Sequence, residues 1–308
     1  MTAEIFWRGF RSECKALTEV LCIAFLVWVL PWRLAFRALR FMTRFTFFSA
    51  PATHSAGTQL LKHGYTTPNA ERLFSLHRLV DMADYFLTLK YGDGWSGKYC
   101  QVSGLVPAES TVGSKGILFI TFHYGQGFWA LRYLRDRGLP VAWLHAPPPK
   151  NAPFGQKFAG WMGRRRIHQV TTLCGSPAIP VGGSVARMKA RLLDERLPVM
   201  AMPDAPLQAG QSSVPVVFLG KPARIPAGTI RMAIQVGAPV VVYTMAVDPV
   251  DGHRRLHFEP PLRESTPEAL AQRLCDHLQS AIERDPTAWH VWPWADGFFD
   301  TQPQAAPE

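Results

Sequence analysis

The sequence predicts an α/β fold in which a mainly parallel sheet is flanked by helices. Short apolar and β-branched runs, typical of buried strands, occur at residues 116–122, 141–144, 198–202, 214–219 and 238–247. Segments with helical spacing lie between several of them, at residues 128–134, 184–195 and 227–236. Strands that alternate with helices favour parallel pairing, because each parallel connection needs a crossover that a helix can supply.

Further elements are predicted on either side of this alternation. One or two amphipathic helices are expected at 69–91. The predicted strand at 141–144 should end before Pro147–Pro149. Residues 254–259 predict a strand at the edge of the sheet. Ser265–Glu268 has the spacing of a capping box with an early proline, which indicates a helix that continues to Arg284.

Composition excludes several classes of protein. The five cysteines are scattered and form no CxxC pair, which argues against a disulfide framework and against a zinc site. The sequence contains no HExxH, P-loop or GxGxxG motif, so metalloprotease, nucleoside triphosphatase and dinucleotide-binding functions have no support. We predict no metal. The formal net charge of +10 indicates an anionic partner, either nucleic acid or an anionic membrane surface.

The N-terminal region favours the membrane surface. Residues 20–30 form an apolar run that is too short for a spanning helix, which needs about 20 residues. Arg33, Arg37, Arg40 and Arg44 follow with the spacing of one helical stripe, among aromatic and aliphatic residues. A cationic stripe on an apolar helix is typical of a helix that lies in an anionic headgroup layer. No nucleic-acid-reading motif accompanies these charges, so we predict no nucleic-acid partner.

The chain is predicted to have three parts. Residues 1–50 are expected to form a membrane anchor of interfacial helices, residues 51–300 the α/β domain, and residues 301–308 a disordered tail. The alternative for the first part is that residues 16–48 are core helices packed under the domain. No internal repeat or long linker divides the domain further.

His123 is the strongest candidate for catalysis. It follows the predicted strand at 116–122 and precedes a glycine-containing turn that leads into a helix. The C-terminal ends of strands are where α/β proteins place reactive groups, and imidazole can act as a general base near neutral pH. The alternative is a turn histidine that is hydrogen-bonded to the backbone.

Five segments occur in an order that identifies a family resemblance. They are His123–Gln126, Met202–Asp204, Val217–Ala223, Gly228 with Arg231–Val240, and Arg284–Trp289. Together they resemble the bacterial lipid A late acyltransferases of the lauroyl and myristoyl type, which belong to the lysophospholipid acyltransferase superfamily. The resemblance extends over residues 15–294. It implies a glycerolipid acyltransferase-like fold at the cytoplasmic face of the cell inner membrane.

The resemblance also implies a reaction. A fatty acyl group would pass from an acyl-carrier-protein or coenzyme A thioester, with no other cofactor, to a hydroxyl or amine of a membrane glycolipid or related amphiphile. His123 would take the proton from the acceptor. The turn Gly125, Gln126 and Gly127, at a helix start, would offer backbone N–H groups to the oxyanion. The alternative is that the glycines only form the turn.

Basic side chains could bind the phosphate of a substrate. The candidates are Arg164, Arg165 and Arg166, together with Lys221 and Arg224. An arginine triplet is also typical of a solvated or membrane-facing surface. The C-terminal segment has aromatic residues where the family tends to carry a basic pair, so the sequence leaves the identity of the acceptor open.

One departure from the family pattern concerns catalysis directly. The family has an acid five residues after the histidine, and that acid orients the imidazole; here the position is Phe128. Asp204, at the end of another predicted strand, could supply the carboxylate instead. A backbone carbonyl could also orient the ring. The third possibility is a catalytically silent lipid-binding or scaffold protein, and a thioesterase is a minor variant of the enzyme hypothesis.

Overall fold

A mainly parallel sheet forms the centre of the protein, as predicted. The computed structural model describes residues 3–48, 51–105, 115–146, 151–208 and 210–299. The predicted tail at 301–308 and the prolines at 147–149 lie outside the described residues.

The described residues contain nine strands in two sheets. They are β1 (Cys100–Gly104), β2 (Leu118–Ile120), β3 (Ala142–His145), β4 (Ile179–Pro180), β5 (Val199–Ala201), β6 (Ser213–Phe218), β7 (Lys221–Pro226), β8 (Val240–Val247) and β9 (Arg254–Phe258). Seven of them form one sheet in the order β1-β9-β8-β2-β5-β3-β4, and β6 and β7 form a separate antiparallel hairpin. Within the larger sheet, only the β8–β9 pair is antiparallel.

Helices cover both faces of this sheet. They are α1 (Ala3–Val29), α2 (Trp32–Met42), α3 (Pro51–Lys62), α4 (Ala70–Lys90), α5 (Asp93–Tyr99), α6 (Phe128–Arg135), α7 (Lys157–Cys174), α8 (Ser184–Leu193), α9 (Gly228–Val236) and α10 (Pro267–Arg284). Successive residues of β2 point into two different cores. Leu118 and Ile120 pack with α8, α9 and α10, whereas Phe119 packs with α1, α2 and α4 to α7. The prediction of a mainly parallel sheet with helices on both faces is confirmed.

The N-terminal helices pack against the rest of the chain and also expose apolar residues. Trp32 of α2 is buried and donates its indole N–H to Gly252 O at 2.9 Å. Its ring lies 4.0 Å from Cζ of Arg254, which forms a fully buried ion pair with Asp84. Large apolar side chains of α1 remain exposed at Ile5, Phe6, Trp7, Phe10, Leu17, Leu21, Phe25, Trp28 and Val29. No helix in the described part of the chain combines the length and the apolar character needed to cross a membrane.

Three details of the predicted elements were wrong. β9 is not an edge strand, because β1 pairs with its outer side; the mixed sequence of β1 gave no strand signal. Residues 154–167 had no predicted element, yet most of them belong to α7. The cap of α10 is Thr266, whose hydroxyl accepts from the N–H of Ala269 at 3.2 Å, one residue later than the predicted capping box.

Candidate active site

The strand register brings His123 and Asp204 together. β2 and β5 are parallel neighbours, and Ile120 at the end of β2 pairs with Ala201 at the end of β5. His123 and Asp204 each follow three residues after these paired positions. Because parallel strands end at the same edge of a sheet, both residues leave that edge side by side.

Asp204 orients the imidazole of His123. The Nδ1 atom of His123 lies 3.0 Å from Oδ1 of Asp204, and the backbone N–H of His123 donates to Oδ2 at 2.7 Å. The indole N–H of Trp289 also donates to Oδ2, at 3.0 Å. The Asp204 side chain is 2% exposed, so these three donors replace the water that a buried carboxylate would otherwise need.

The other ring nitrogen of His123 is open to solvent. The His123 side chain is 42% exposed, and no hydrogen bond from the described residues engages its Nε2 atom. With Nδ1–H donating to Asp204, Nε2 carries the lone pair that a general base requires. Burial lowers the pKa of His123, but the charge and hydrogen bonds of Asp204 outweigh it, and the net pKa is raised above 6.5.

The C-terminal segment holds the turn that carries His123. The backbone N–H of His290 donates to His123 O at 2.8 Å, and its Nε2–H donates to Gly125 O at 2.8 Å. Gly125 N–H donates in return to Ala288 O at 2.7 Å. Gly125 has φ of +64°, and an added Cβ would lie 2.0 Å from Met245 O, so only glycine fits at this position.

These bonds leave only part of the predicted oxyanion turn available. The N–H groups of Gly125 and Gln126 both donate to backbone carbonyls, of Ala288 and Met245. Gly127 N–H makes no hydrogen bond among the described residues, and Gly127 is the residue that precedes the first turn of α6. The geometry therefore leaves Gly127 and the start of α6, rather than the whole turn, free to receive an oxyanion.

A buried polar network supports the turn that follows His123. The Gln126 side chain is fully buried and donates to Nδ1 of His77 at 3.2 Å. His77 in turn donates from Nε2 to Asp285 Oδ2 at 2.9 Å, and Asp285 also accepts from the hydroxyl of Thr287 at 2.7 Å. Burial raises the pKa of Asp285, but the bonds from His77 and Thr287 outweigh it and the net pKa is lowered. Gln126 therefore positions the turn and lies away from the open side of His123.

Two cavities meet at His123. The larger, which we name the outer cavity, has a volume of about 580 Å³ and lies between β5, α8 and α9, where Ser184, Met188 and Thr229 line it. The smaller, the inner cavity, has a volume of about 280 Å³ and lies between α6, α7 and the sheet. Its lining is mainly apolar and includes Phe128, Leu131, Trp143, Val170, Met200, Tyr243 and Met245.

Phe128 is a wall of the inner cavity. Its side chain is 3% exposed and packs edge-on against Tyr85, with ring centroids 6.4 Å apart. The guanidinium of Arg166 lies over the Phe128 ring at 5.2 Å and is paired with Asp81 at 2.5 Å. The position that carries an acid in the family pattern is thus apolar here, while Asp204 contacts the Nδ1 atom that such an acid would orient.

The predicted basic residues are distributed over two surfaces. Arg166 lines the inner cavity, but Asp81 already pairs with it. Arg164 and Arg165 are exposed on α7 and line neither cavity at His123. Lys221 and Arg224 are exposed on the β6–β7 hairpin, where Arg224 donates to the hydroxyl of Ser213 at 2.7 Å.

Sequence reasoning missed the roles of Trp289 and His290. Trp289 ends one of the five segments that carry the family resemblance, but an indole N–H bonded to a buried carboxylate leaves no periodic signal in a sequence. His290 could have been suspected as a second histidine beside that motif. Its pKa is lowered, chiefly by burial, which favours the neutral ring that donates to Gly125 O.

Comparison with known proteins places the chain in a family. No curated protein matched the chain. A family model described as bacterial lipid A biosynthesis acyltransferase matches residues 112–292, more than half of the chain, and this range contains His123, Asp204 and Trp289. The chain therefore belongs to the bacterial lipid A biosynthesis acyltransferase family.

Proposed function

We propose that the protein transfers a fatty acyl group from a carrier-protein or coenzyme A thioester to a hydroxyl or amine of a membrane glycolipid or related amphiphile. His123 is the general base and Asp204 orients it. The observation that carries this proposal is the hydrogen bond from Nδ1 of His123 to Asp204, which leaves Nε2 open where the two cavities meet.

The chemical step needs one general base, the acyl thioester as co-substrate, and no cofactor. Nε2 of His123 accepts the proton of the acceptor hydroxyl or amine as its oxygen or nitrogen attacks the thioester carbonyl carbon. The tetrahedral intermediate then collapses, the carbon–sulfur bond breaks, and the imidazolium returns the proton to the leaving thiolate. The products are an ester or amide and a free thiol. The free N–H of Gly127 and the N-terminal turn of α6 support stabilisation of the oxyanion in between.

The cavities suggest how the substrates are arranged. The apolar lining of the inner cavity suits the acyl chain, because each buried methylene contributes about 0.8 kcal/mol to binding. Arg164 and Arg165 are candidates for the phosphate of a lipid acceptor at the surface of α7. Lys221 and Arg224, on the separate β6–β7 hairpin, are further candidates for this contact.

The proposed location is the cytoplasmic face of the cell inner membrane. The exposed aromatic residues of α1 and the exposed stripe of Arg33, Arg37, Arg40 and Arg44 support it. We assign residues 1–50 to this membrane-binding region and residues 51–300 to the acyltransferase domain. A helix pair of this kind binds an anionic surface by lying on it.

A second candidate function is a catalytically silent lipid-binding or scaffold protein. The observation in its favour is Phe128 at the position of the family acid. The contact between Asp204 and His123 weakens this candidate, because Asp204 already makes the hydrogen bond to Nδ1 that the missing acid would make.

Lipid mass spectrometry tests the proposal. Cells that express the wild-type chain, His123→Ala or His168→Ala at equal levels are extracted, and their total lipids are compared with an empty control. His168 is exposed on α7 and lines neither cavity, so it is a matched control. An acylated lipid present with wild type and His168→Ala, and absent with His123→Ala, supports the transferase. Equal lipid profiles in all four samples favour the silent protein.

A further inference from the structure

Another cavity, which we name the side cavity, is bordered by the turn that follows His123. It has a volume of about 600 Å³ and lies against β1, β8, β9 and the C-terminal end of α10. Ser103, His257 and Thr244 line it in one row across the three strands, because Ser103 pairs with His257 and His257 with Thr244. Tyr124 lines both this cavity and the inner cavity, whereas His123 is not among the lining residues of the side cavity. The side cavity is therefore separate from the proposed site of acyl transfer.

Hydrogen-bond donors without partners line the side cavity. Arg284, the last residue of α10, is exposed and makes no ion pair or side-chain hydrogen bond in the part of the chain that the structure describes. Arg255 also lines the cavity, and its guanidinium keeps free N–H groups beside the nitrogen that pairs with Asp248. The hydroxyl of Thr244 has no hydrogen-bond partner among the described residues, although Thr244 is only 9% exposed. Guanidinium and hydroxyl groups together are typical donors to a phosphate.

The carboxylates of the lining are already engaged. Oδ1 of Asp285 accepts two hydrogen bonds from Thr287, at 2.7 and 3.0 Å, and Oδ2 lies 2.9 Å from Nε2 of His77. The other acid of the lining, Asp248, is paired with the second arginine of the cavity. Arg284 thus has no carboxylate partner, although Asp285 follows it directly in the chain. An anionic ligand would therefore meet a guanidinium that no acid of the described lining neutralises.

The side cavity adjoins the surface that carries the arginine stripe of α2. Pro249 of the β8–β9 loop lines the cavity, and the next residue, Val250, is 76% exposed. Arg40 of α2 donates to Val250 O at 3.4 Å, and Trp32 at the start of α2 donates to Gly252 O at 2.9 Å. One loop thus connects the cavity with the helix that we assign to the membrane surface. The headgroup of an anionic lipid is for this reason a suitable source of phosphate.

We infer that the side cavity binds the phosphate group of an anionic ligand, with Arg255 and Arg284 as its cations and the hydroxyls of Ser103 and Thr244 as further donors. A volume of about 600 Å³ has room for an organic group attached to the phosphate. The headgroup of a membrane lipid and a soluble phosphate ester both offer this chemistry. The inference goes beyond the proposed function, because it does not depend on acyl transfer.

Calorimetric titration of the full chain in a neutral detergent tests the side cavity. The ligands are inorganic phosphate, glycerol phosphate and dihexanoyl phosphatidylglycerol, and dihexanoylglycerol is the matched ligand without phosphate. Wild type is compared with the side-cavity variant Arg255→Gln/Arg284→Gln. The net-charge control, Arg137→Gln/Arg273→Gln, removes the same charge at two exposed arginines that line none of the outer, inner and side cavities.

Two further variants separate the possible explanations. Ser103→Tyr places a large side chain in the cavity and keeps both arginines, so it blocks the ligand without changing the charge. The α7 variant, Arg164→Gln/Arg165→Gln, removes the phosphate candidates on α7. The thermal stability of every variant is measured, and if the side-cavity variant does not fold, Ser103→Tyr decides the test.

We expect wild type to bind the ligands that contain phosphate and not to bind dihexanoylglycerol. The Kd should rise at least about tenfold in the side-cavity variant, because the loss of one charge-assisted hydrogen bond already corresponds to about that factor. It should rise as much in Ser103→Tyr and stay within about threefold in the net-charge control and the α7 variant. Tighter binding of dihexanoyl phosphatidylglycerol than of glycerol phosphate identifies a lipid headgroup as the source, and equal binding identifies a soluble phosphate ester.

Several results would overturn the inference. They are the absence of binding of any phosphate ligand by wild type, an unchanged Kd in the folded side-cavity variant or in Ser103→Tyr, and an equal loss in the net-charge control. A loss confined to the α7 variant would assign the phosphate to the surface of α7 instead. If the lipid analysis described above shows no transfer while the side cavity still binds phosphate, the proposed function fails and this inference stands.

Discussion

Trp289 donates its indole N–H to Asp204 at 3.0 Å, across 85 residues of sequence. The same carboxylate contacts Nδ1 of His123, so the C-terminal segment helps to fix the orientation of this imidazole. Trp289 is fully buried between Phe218, Trp292 and Phe298. A rigid ring in a packed core fixes the position of Asp204 better than solvent would, which makes Trp289 a positioning residue.

The first prediction is that Trp289→Phe slows transfer without abolishing it. The variant keeps an aromatic ring but removes a hydrogen bond to a charged acceptor, which is worth about 1.5–3 kcal/mol. We therefore expect kcat to fall about 10- to 100-fold, since 1.36 kcal/mol corresponds to about tenfold in rate. Because Asp204 would then interact more strongly with His123, the acidic limb of the rate profile should move to higher pH.

Steady-state kinetics between pH 5 and 9 check this prediction, with Trp294→Phe as the control. Trp294 is 60% exposed and has no bond to Asp204. A Trp289→Phe variant that loses thermal stability but keeps the wild-type kcat and pH profile would show that Trp289 contributes to packing only.

The second prediction concerns pH. The base must be neutral, and Asp204 raises the pKa of His123 above 6.5, so kcat/KM of the wild type should fall as the pH drops through that raised pKa. The Asp204→Asn variant loses the charge, so its acidic limb should move to lower pH. Its kcat should fall by about 10²- to 10⁴-fold, because an amide does not hold the productive tautomer.

The raised pKa of His123 also makes the stability of the fold depend on pH. A raised pKa in the folded state stabilises the fold fully below pH 6.5, and this contribution is lost as the pH rises through the folded pKa. The difference in thermal stability between the wild type and Asp204→Asn should therefore be larger at pH 6 than at pH 9. A pH–rate profile that is identical for both proteins would argue against Asp204 as the partner of the base.

The local structure around His123 could be predicted from the sequence, whereas the long-range contacts that support it could not. An apolar strand followed by His123 and a glycine turn is a short-range pattern, and it was read correctly as strand, turn and helix. Asp204 was one of three alternatives, because register between β2 and β5 decides whether it reaches the ring. The bonds from Trp289 and His290 depend on how the chain returns to the site after α10, and no periodicity encodes that path.

The third prediction is that the exposed aromatics of α1 bind membranes. Trp7 and Phe10 are 57% and 46% exposed, and neighbouring Phe6 stacks on Phe154 at 5.5 Å. Burial of one such side chain contributes about 1.5–3 kcal/mol. The variant Trp7→Ser/Phe10→Ser should therefore bind vesicles that contain phosphatidylglycerol at least about tenfold more weakly in a sedimentation assay.

The control for the vesicle assay changes two exposed apolar residues elsewhere. Val217 lies on the β6–β7 hairpin and Leu193 at the end of α8, with exposures of 56% and 41%. Val217→Ser/Leu193→Ser should bind vesicles as the wild type does. Equal weakening in both double variants would mean that general surface hydrophobicity, and not the α1 surface, determines binding.

The last prediction decides what Phe128 does. If it marks a lost catalytic acid, Phe128→Glu should restore or raise activity. We expect the opposite, because Asp204 already bonds Nδ1 and a carboxylate at position 128 would be buried in the apolar inner cavity beside the Asp81–Arg166 pair. A buried carboxylate that would have to share Arg166 with Asp81 is costly, so Phe128→Glu should lower both thermal stability and kcat, the latter by at least about tenfold. Phe128→Leu keeps an apolar wall of similar size and should retain kcat within about threefold. Assays with lauroyl thioester check both variants. A kcat for Phe128→Glu above that of the wild type would show that Phe128 stands in place of an acid that catalysis needs.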